Sequence, residues 1–124
     1  MKRDMDYIRE LLLKIEESST PLNRDDCMIC DKSEEEALYH LWLLDGAGLI
    51  DVDFFYADNV VYSLSVKGLT WAGQDFLDSM RDSKIWRKAK TVISKTLGST
   101  TLDLIKEVCH ELSKKALMNG INLI

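Results

Sequence analysis

The sequence predicts an α+β fold with a small antiparallel sheet and a C-terminal helical extension. Three observations predict it. First, SEEEALYHLWLLDGAGLID (residues 33–51) reads as a capped helix, a glycine stop and the start of a strand. Second, two β-patterned runs, Leu49 to Tyr56 and Val60 to Val66, flank the turn-prone Ala57-Asp58-Asn59 and so predict a hairpin. Third, three further stretches after Lys67-Gly68 carry apolar residues at helical spacing. A hairpin directly after a helix that ends in AGLI is winged-helix order, so the expected domain is winged-helix-like. One domain over 1–124 is expected, with its core about 4–82 and the extension about 83–118.

The elements follow in order. Met5, Ile8, Leu11, Leu12 and Ile15 form a helical stripe that Asp4 or Asp6 can cap. Ser18-Ser19-Thr20-Pro21 ends it, because the residue before proline avoids helical backbone. Cys27-Met28-Ile29-Cys30 predicts a small edge strand that pairs with the hairpin. Ser33 with Glu36 is a capping box for the central helix. In the hairpin, Ile50, Val52 and Phe54 share one face; Val60, Tyr62, Leu64 and Val66 share another. Thr70 can cap a helix to about Arg81, with Leu69, Phe76, Leu77 and Met80 inward. Ser83 can cap the next, with Ile85, Trp86, Ala89, Val92 and Ile93 as its stripe and Gly98 as its break. Thr100 or Thr101 starts the last helix, with Leu102, Ile105, Val108, Cys109, Leu112 and Leu117 inward.

Composition narrows the function classes. Hydrophobic residues make up 46% of the 124, enough for a packed core. No apolar run is long enough for a transmembrane helix, and the N-terminal segment lacks an apolar signal region, so a cytoplasmic protein is expected. Three cysteines there do not suggest a disulfide framework. Charge is polarised. Residues 25–58 hold ten acids against one base, a local charge of −9, whereas residues 59–124 hold ten bases against six acids.

No catalytic constellation emerges. No serine or cysteine has an identifiable base and orienting acid near it, and Gly46-Ala47-Gly48 ends a helix where a phosphate loop would open one. Cys27 and Cys30 could in principle join His40, Cys109 or His110 around zinc. They lack the glycine or proline that turns both thiolates inward, so core or edge cysteines, a packed His40, and neither metal nor cofactor are expected.

The central helix carries the sharpest signal. At 100° per residue, Ala37, Leu41 and Leu44 cluster within about 40° as a core face. Glu35, Glu36, Tyr39, Trp42 and Leu43 fall opposite, on the side a winged helix offers to its ligand. That face has aromatics and glutamates but no lysine or arginine, and the hairpin adds Asp51, Asp53 and Asp58. Duplex affinity comes largely from cations neutralising phosphates, so this face suits a protein partner, host or self, better than DNA. The covering of this face by later elements is the plain alternative. Arg81, Lys84, Arg87, Lys88, Lys90 and Lys95 form a separate basic segment, a solvated face or an alternative nucleic-acid contact.

MKRDMDYIRELL, EEEALYHLWLLDGAGLI, LTWAGQDFLDSMRDSKIW and the closing amphipathic helix, in this order, carry a resemblance. The chain resembles, over nearly its whole length, a family of small bacterial and prophage proteins known as a domain of unknown function. The resemblance implies a winged-helix variant and brings no catalytic residues. Relative to that family's pattern, Ala72 and Gln74 stand where glutamate and histidine are usual, and Trp42 where a polar residue is usual. The function expected is a non-enzymatic interaction module of phage or mobile-element origin, with a homodimer among the options, acting as a DNA mimic or host-defence antagonist. The alternative is a transcriptional regulator that binds DNA through residues 81–95 or a dimer surface.

Overall fold

The computed structural model describes the backbone of residues 1–96 and 102–122, with side chains over 1–93 and 104–118. The elements are α1 (Met5–Glu17), α2 (Arg24–Cys27), α3 (Glu34–Gly46), β1 (Ile50–Ala57), β2 (Val60–Leu69), α4 (Trp71–Met80), α5 (Ser83–Thr96) and α6 (Leu102–Asn122). The architecture is α+β, and its helix–hairpin order is that of a small winged-helix-like fold. Two compact units divide inside α4, residues 1–77 and 78–124. No helix among the described residues is long and apolar enough to cross a membrane.

In the first unit α1 starts where Asp4 accepts a hydrogen bond from the Tyr7 amide at 3.1 Å. The expected strand at Cys27-Met28-Ile29-Cys30 is replaced by α2 and a turn. Local side-chain chemistry decides this. Asn23 and Asp26 form a reciprocal capping box, each side chain accepting from the other's amide at 2.9 Å. Cys30 and Asp31 then take left-handed backbone, with φ of 58° and 57°, which no strand tolerates. Pairing with the hairpin does occur, five residues upstream of Cys27. Leu22 exchanges two backbone hydrogen bonds with Val66, at 3.0 and 2.8 Å.

The hairpin turns through Asp58 and Asn59, both left-handed at φ of 53° and 66°, the backbone of a type I′ turn. Its register slips twice, between Asp51 and Val52 and between Phe55 and Tyr56. Each slip leaves one extra residue on β2, and such bulges re-aim the strand. The single apolar face expected for β2 is therefore split. Leu64 and Val66 are buried, but Val60 and Tyr62 stand exposed.

Three elements meet at His40, which is 1% exposed. Its Nδ1 lies 2.7 Å from the Glu36 carbonyl oxygen, which can only accept, so Nδ1 carries the hydrogen. Its Nε2 accepts from the Asp4 amide at 2.9 Å. Tyr7 packs edge-on against the imidazole with centroids 4.8 Å apart, and its hydroxyl donates to the Cys27 carbonyl at 2.7 Å. Burial pushes that hydroxyl's pKa upward. Above them the Lys32 ammonium sits 2.7 Å from Asp4 and 3.4 Å from Glu36. Lys32 holds the Asp4 carboxyl below its ordinary range, chiefly by hydrogen bonding. α1, α2 and the start of α3 are thus clasped together by one aromatic pair and one lysine.

A second seam joins the end of α3 to α4. Gly48, at φ of 73°, turns the chain out of the helix. Thr70 then closes the seam. Its amide donates to the Leu49 carbonyl at 3.1 Å, and its hydroxyl donates to the Gly48 carbonyl at 2.6 Å. The same hydroxyl accepts from the Gly73 amide at 3.0 Å, capping α4 as expected. A Cβ at Gly73 would run into the Leu49 carbonyl, so the glycine of LTWAG is required by backbone contact.

In the second unit α5 is capped by Asp82, whose carboxylate accepts from the Lys84 and Ile85 amides; the expected cap, Ser83, is the first helical residue. α5 and α6 pack together, and Trp86, Ala89, Ile93, Ile105 and Cys109 are buried. Val92 and Leu117, expected inward, are 46% and 65% exposed. Val92 flanks the buried stripe. α6 has 21 residues against 14 in α5, so it outruns that partner by about 10 Å and leaves Leu117 past the packed length. Gly98, Thr100 and Thr101 lie outside the described residues, as do the side chains of Leu102 and Lys95.

Two stability outcomes are expected. Gly73→Ala lowers unfolding free energy by about 1–3 kcal/mol in urea titration, because the new methyl displaces backbone. Gly46→Ala, with open space at its Cβ, changes it by no more than about 1 kcal/mol and in the stabilising direction. The Asp4–Lys32 pair sets the pH response. Asp4 titrates below its ordinary 3.8 in the folded state, so its stabilisation is complete above that pH and lost as pH falls below it. Lys32 titrates above its ordinary 10.5, so its contribution is lost only as pH rises beyond that value. Asp4→Asn therefore flattens the acid limb of a stability-versus-pH curve below about 3.8 and leaves the slope between pH 5 and 8 unchanged.

Candidate partner-binding face

With Ala37, His40, Leu41 and Leu44 buried, α3 turns its other side outward. Trp42 is 62% exposed. Tyr39 and Leu43 are half-buried beside it, and Glu35 is exposed. The Tyr39 ring stands edge-on to buried His40 at 5.4 Å and tilts against Trp42 at 6.5 Å between centroids. The exposed indole is thereby propped through Tyr39 on a fixed core group. Glu36 is committed differently. Its carboxylate accepts from the Ser33 amide at 3.3 Å and pairs with Lys32, so it closes the capping box of α3. The backbone bond from Ser33 is the main cause that lowers its pKa.

The acids of the β1–β2 hairpin, the wing of the winged-helix order, also divide. Asp51 and Asp58 are exposed, whereas Asp53 is half-buried and bound to Lys67 at 2.9 Å. The wing also carries residues that sequence reasoning missed: Phe55, Tyr56, Val60 and Tyr62 are 49–69% exposed. Phe55 had a legible signal. It follows Asp51 and Asp53 at two-residue spacing and shares their outward face. Tyr62 did not, because the bulge breaks the alternation. Trp71, at the start of α4, is 86% exposed and was likewise missed.

Arg24 ties these surfaces together. Its guanidinium lies 3.0 Å from Glu34 at the start of α3 and donates to the Val61 carbonyl on β2 at 3.4 Å. The acidic end of α3 and the distal wing are therefore neighbours. The three cations in this region, Arg24, Lys32 and Lys67, are each bound to a carboxylate of the same unit. A phosphate would have to compete with those carboxylates, which makes this face electrostatically poor for duplex DNA.

The basic segment lies in the second unit. Arg81 pairs with Asp78 at 2.7 Å, and the Lys90 ammonium lies 5.6 Å from the centre of the Trp86 ring. Lys84, Arg87 and Lys88 are exposed. Cys27 and Cys109 are buried, and burial raises both thiols to about 11, so neither is an activated nucleophile. Cys30 is exposed and its pKa is also raised. No group of three or more His, Cys, Asp or Glu side chains that could hold a metal ion occurs among the described residues.

Residues 2–100 match a family model described as "Hypothetical protein (DUF2513)". A protein of Haemophilus influenzae (strain ATCC 51907 / DSM 11121 / KW20 / Rd), named "Uncharacterized protein", is 36% identical over 120 residues, covering 94% of this chain and 99% of its own. No solved structure matches the chain. A family match across most of the chain and a relative of nearly equal extent agree: this protein belongs to the DUF2513 family.

Proposed function

We propose that the protein is a non-enzymatic interaction module that grips a protein partner with the outer face of α3 and the wing. One observation carries the reading: Trp42 stands 62% exposed on a prop of Tyr39 and buried His40. A large aromatic held rigidly at the surface loses little conformational entropy on binding, which is why tryptophan and tyrosine dominate interface hot spots. Glu35, Asp51 and Asp58 then select for a basic partner surface. A protein that itself binds nucleic acid presents such a surface, and an acidic module can occupy it by mimicry. The resemblance to prophage proteins favours a host target of a phage or mobile element. An intracellular, cytoplasmic setting accords with that use.

A second reading, duplex DNA binding by a regulator, draws on exposed Lys84, Arg87 and Lys88 in the second unit. Gel shifts at falling salt separate the two, and retention of duplex DNA at low salt, lost on Arg87→Ser/Lys88→Ser, would establish the second. Trp42→Ala/Tyr39→Ala tests the first. Trp42 is exposed and Tyr39 half-buried, so the pair is expected to cost no more than about 2 kcal/mol of stability. Capture of a discrete partner from lysate should nevertheless fall roughly tenfold or more, about 1.4 kcal/mol of binding free energy. Identical partner sets at equal yield from wild type and the double variant would remove the reading.

A further inference from the structure

The second unit holds an open groove of about 460 Å³ lined by Lys84, Arg87, Lys88, Thr91, Val92 and Leu112. Its volume falls in the range of small-molecule sites. Its chemistry is graded along α5. Lys84, Arg87 and Lys88 are spaced i, i+3 and i+4, so the three cations share one face at the helix start. Val92 lies one turn beyond Lys88, and Leu112 reaches in from α6. The Thr91 hydroxyl is already spent on the Arg87 carbonyl at 3.0 Å. Among the described residues no carboxylate lines the groove, and none lies within ion-pair distance of Lys84, Arg87 or Lys88. Three like charges at this spacing repel one another, and that repulsion is relieved by an anion. The exposed valine gains by being covered with hydrocarbon.

We propose that this groove binds a soluble amphipathic anion, a carboxylate head on an aliphatic tail. The head sits among Lys84, Arg87 and Lys88, where the guanidinium can take both carboxylate oxygens. The tail runs along the lysine stems to Val92 and Leu112. A nucleic acid would use the charges but leave the apolar end unmatched. A bilayer surface is favoured by exposed aromatics at the interface, and the tryptophan of α5, Trp86, is buried. The proposal is independent of the protein-binding face in the first unit.

Calorimetry and methyl NMR on the full chain test it, with decanoate below its micelle concentration, acetate, decyl maltoside, phosphatidylglycerol vesicles and duplex DNA as ligands. Decanoate is expected to bind saturably at one per chain, shifting the Val92 and Leu112 methyls. Acetate, which lacks the tail, and decyl maltoside, which lacks the charge, should bind at least roughly tenfold more weakly. Arg87→Ser/Lys88→Ser should weaken decanoate by a similar factor with unchanged circular dichroism, and Lys88→Gln alone by less. Trp42→Ala/Tyr39→Ala should leave decanoate binding intact, which separates this site from the face on α3. Equal affinity for decyl maltoside, no saturation, or indifference to the charge variants would overturn the assignment. Binding confined to vesicles or to duplex DNA would overturn it as well.

Discussion

The first unit depends on where the His40 imidazole is put. Its two nitrogens are both occupied, by a carbonyl of its own helix and by the amide that opens α1. Those bonds place His40 inside the core and fix the rotation of α3 about its axis. With that rotation set, Ala37, Leu41 and Leu44 face inward and Trp42 has nowhere to go but out. The neighbouring Tyr39 ring rests on the same imidazole. A histidine in the interior therefore governs what the exterior offers. It does so as a ring hydrogen-bonded at both nitrogens.

Charge and apolar area are distributed in two distinct ways across the chain. In the first unit the cations near α3 and the wing are bound to carboxylates, so exposed aromatics and exposed acids define that surface. In the second unit α5 gathers lysines and arginine around a short apolar groove. The two surfaces call for opposite ligands. On the proposals above, the first would take a basic protein and the second an anion with a tail. Burial raises the pKa of the Cys27 and Cys109 thiols.

Much of this was legible in the residues, and the failures have identifiable physical causes. Helical spacing assigned α1, α3 and α4, and the inward set of α3 emerged from angular position alone because its core stripe is regular. The Ser33–Glu36 capping box and the Thr70 cap were legible because capping is local. The Cys27 segment misled because a run of apolar residues outweighed an Asn23–Asp26 box four residues long. Tyr62 and Val60 misled because a bulge is set by pairing with β1, a partner that alternation within one strand does not see. The role of Gly73 was out of reach for the same reason: what excludes a side chain there is the Leu49 carbonyl, twenty-four residues away. Family membership was legible in the order of the motifs, and the match over residues 2–100 agrees with it.

The central claim is that the indole of Trp42 is a contact point for a partner protein. Photo-crosslinking from position 42, in the cells that produce the protein, tests it most directly. Position 71 serves as the control, since Trp71 is still more exposed and lies on α4. The account predicts a discrete protein adduct from position 42 that fades when Glu35 is replaced by Lys, and none of that size from position 71. Adducts of equal yield from both positions, or an adduct from position 42 to duplex DNA, would contradict it.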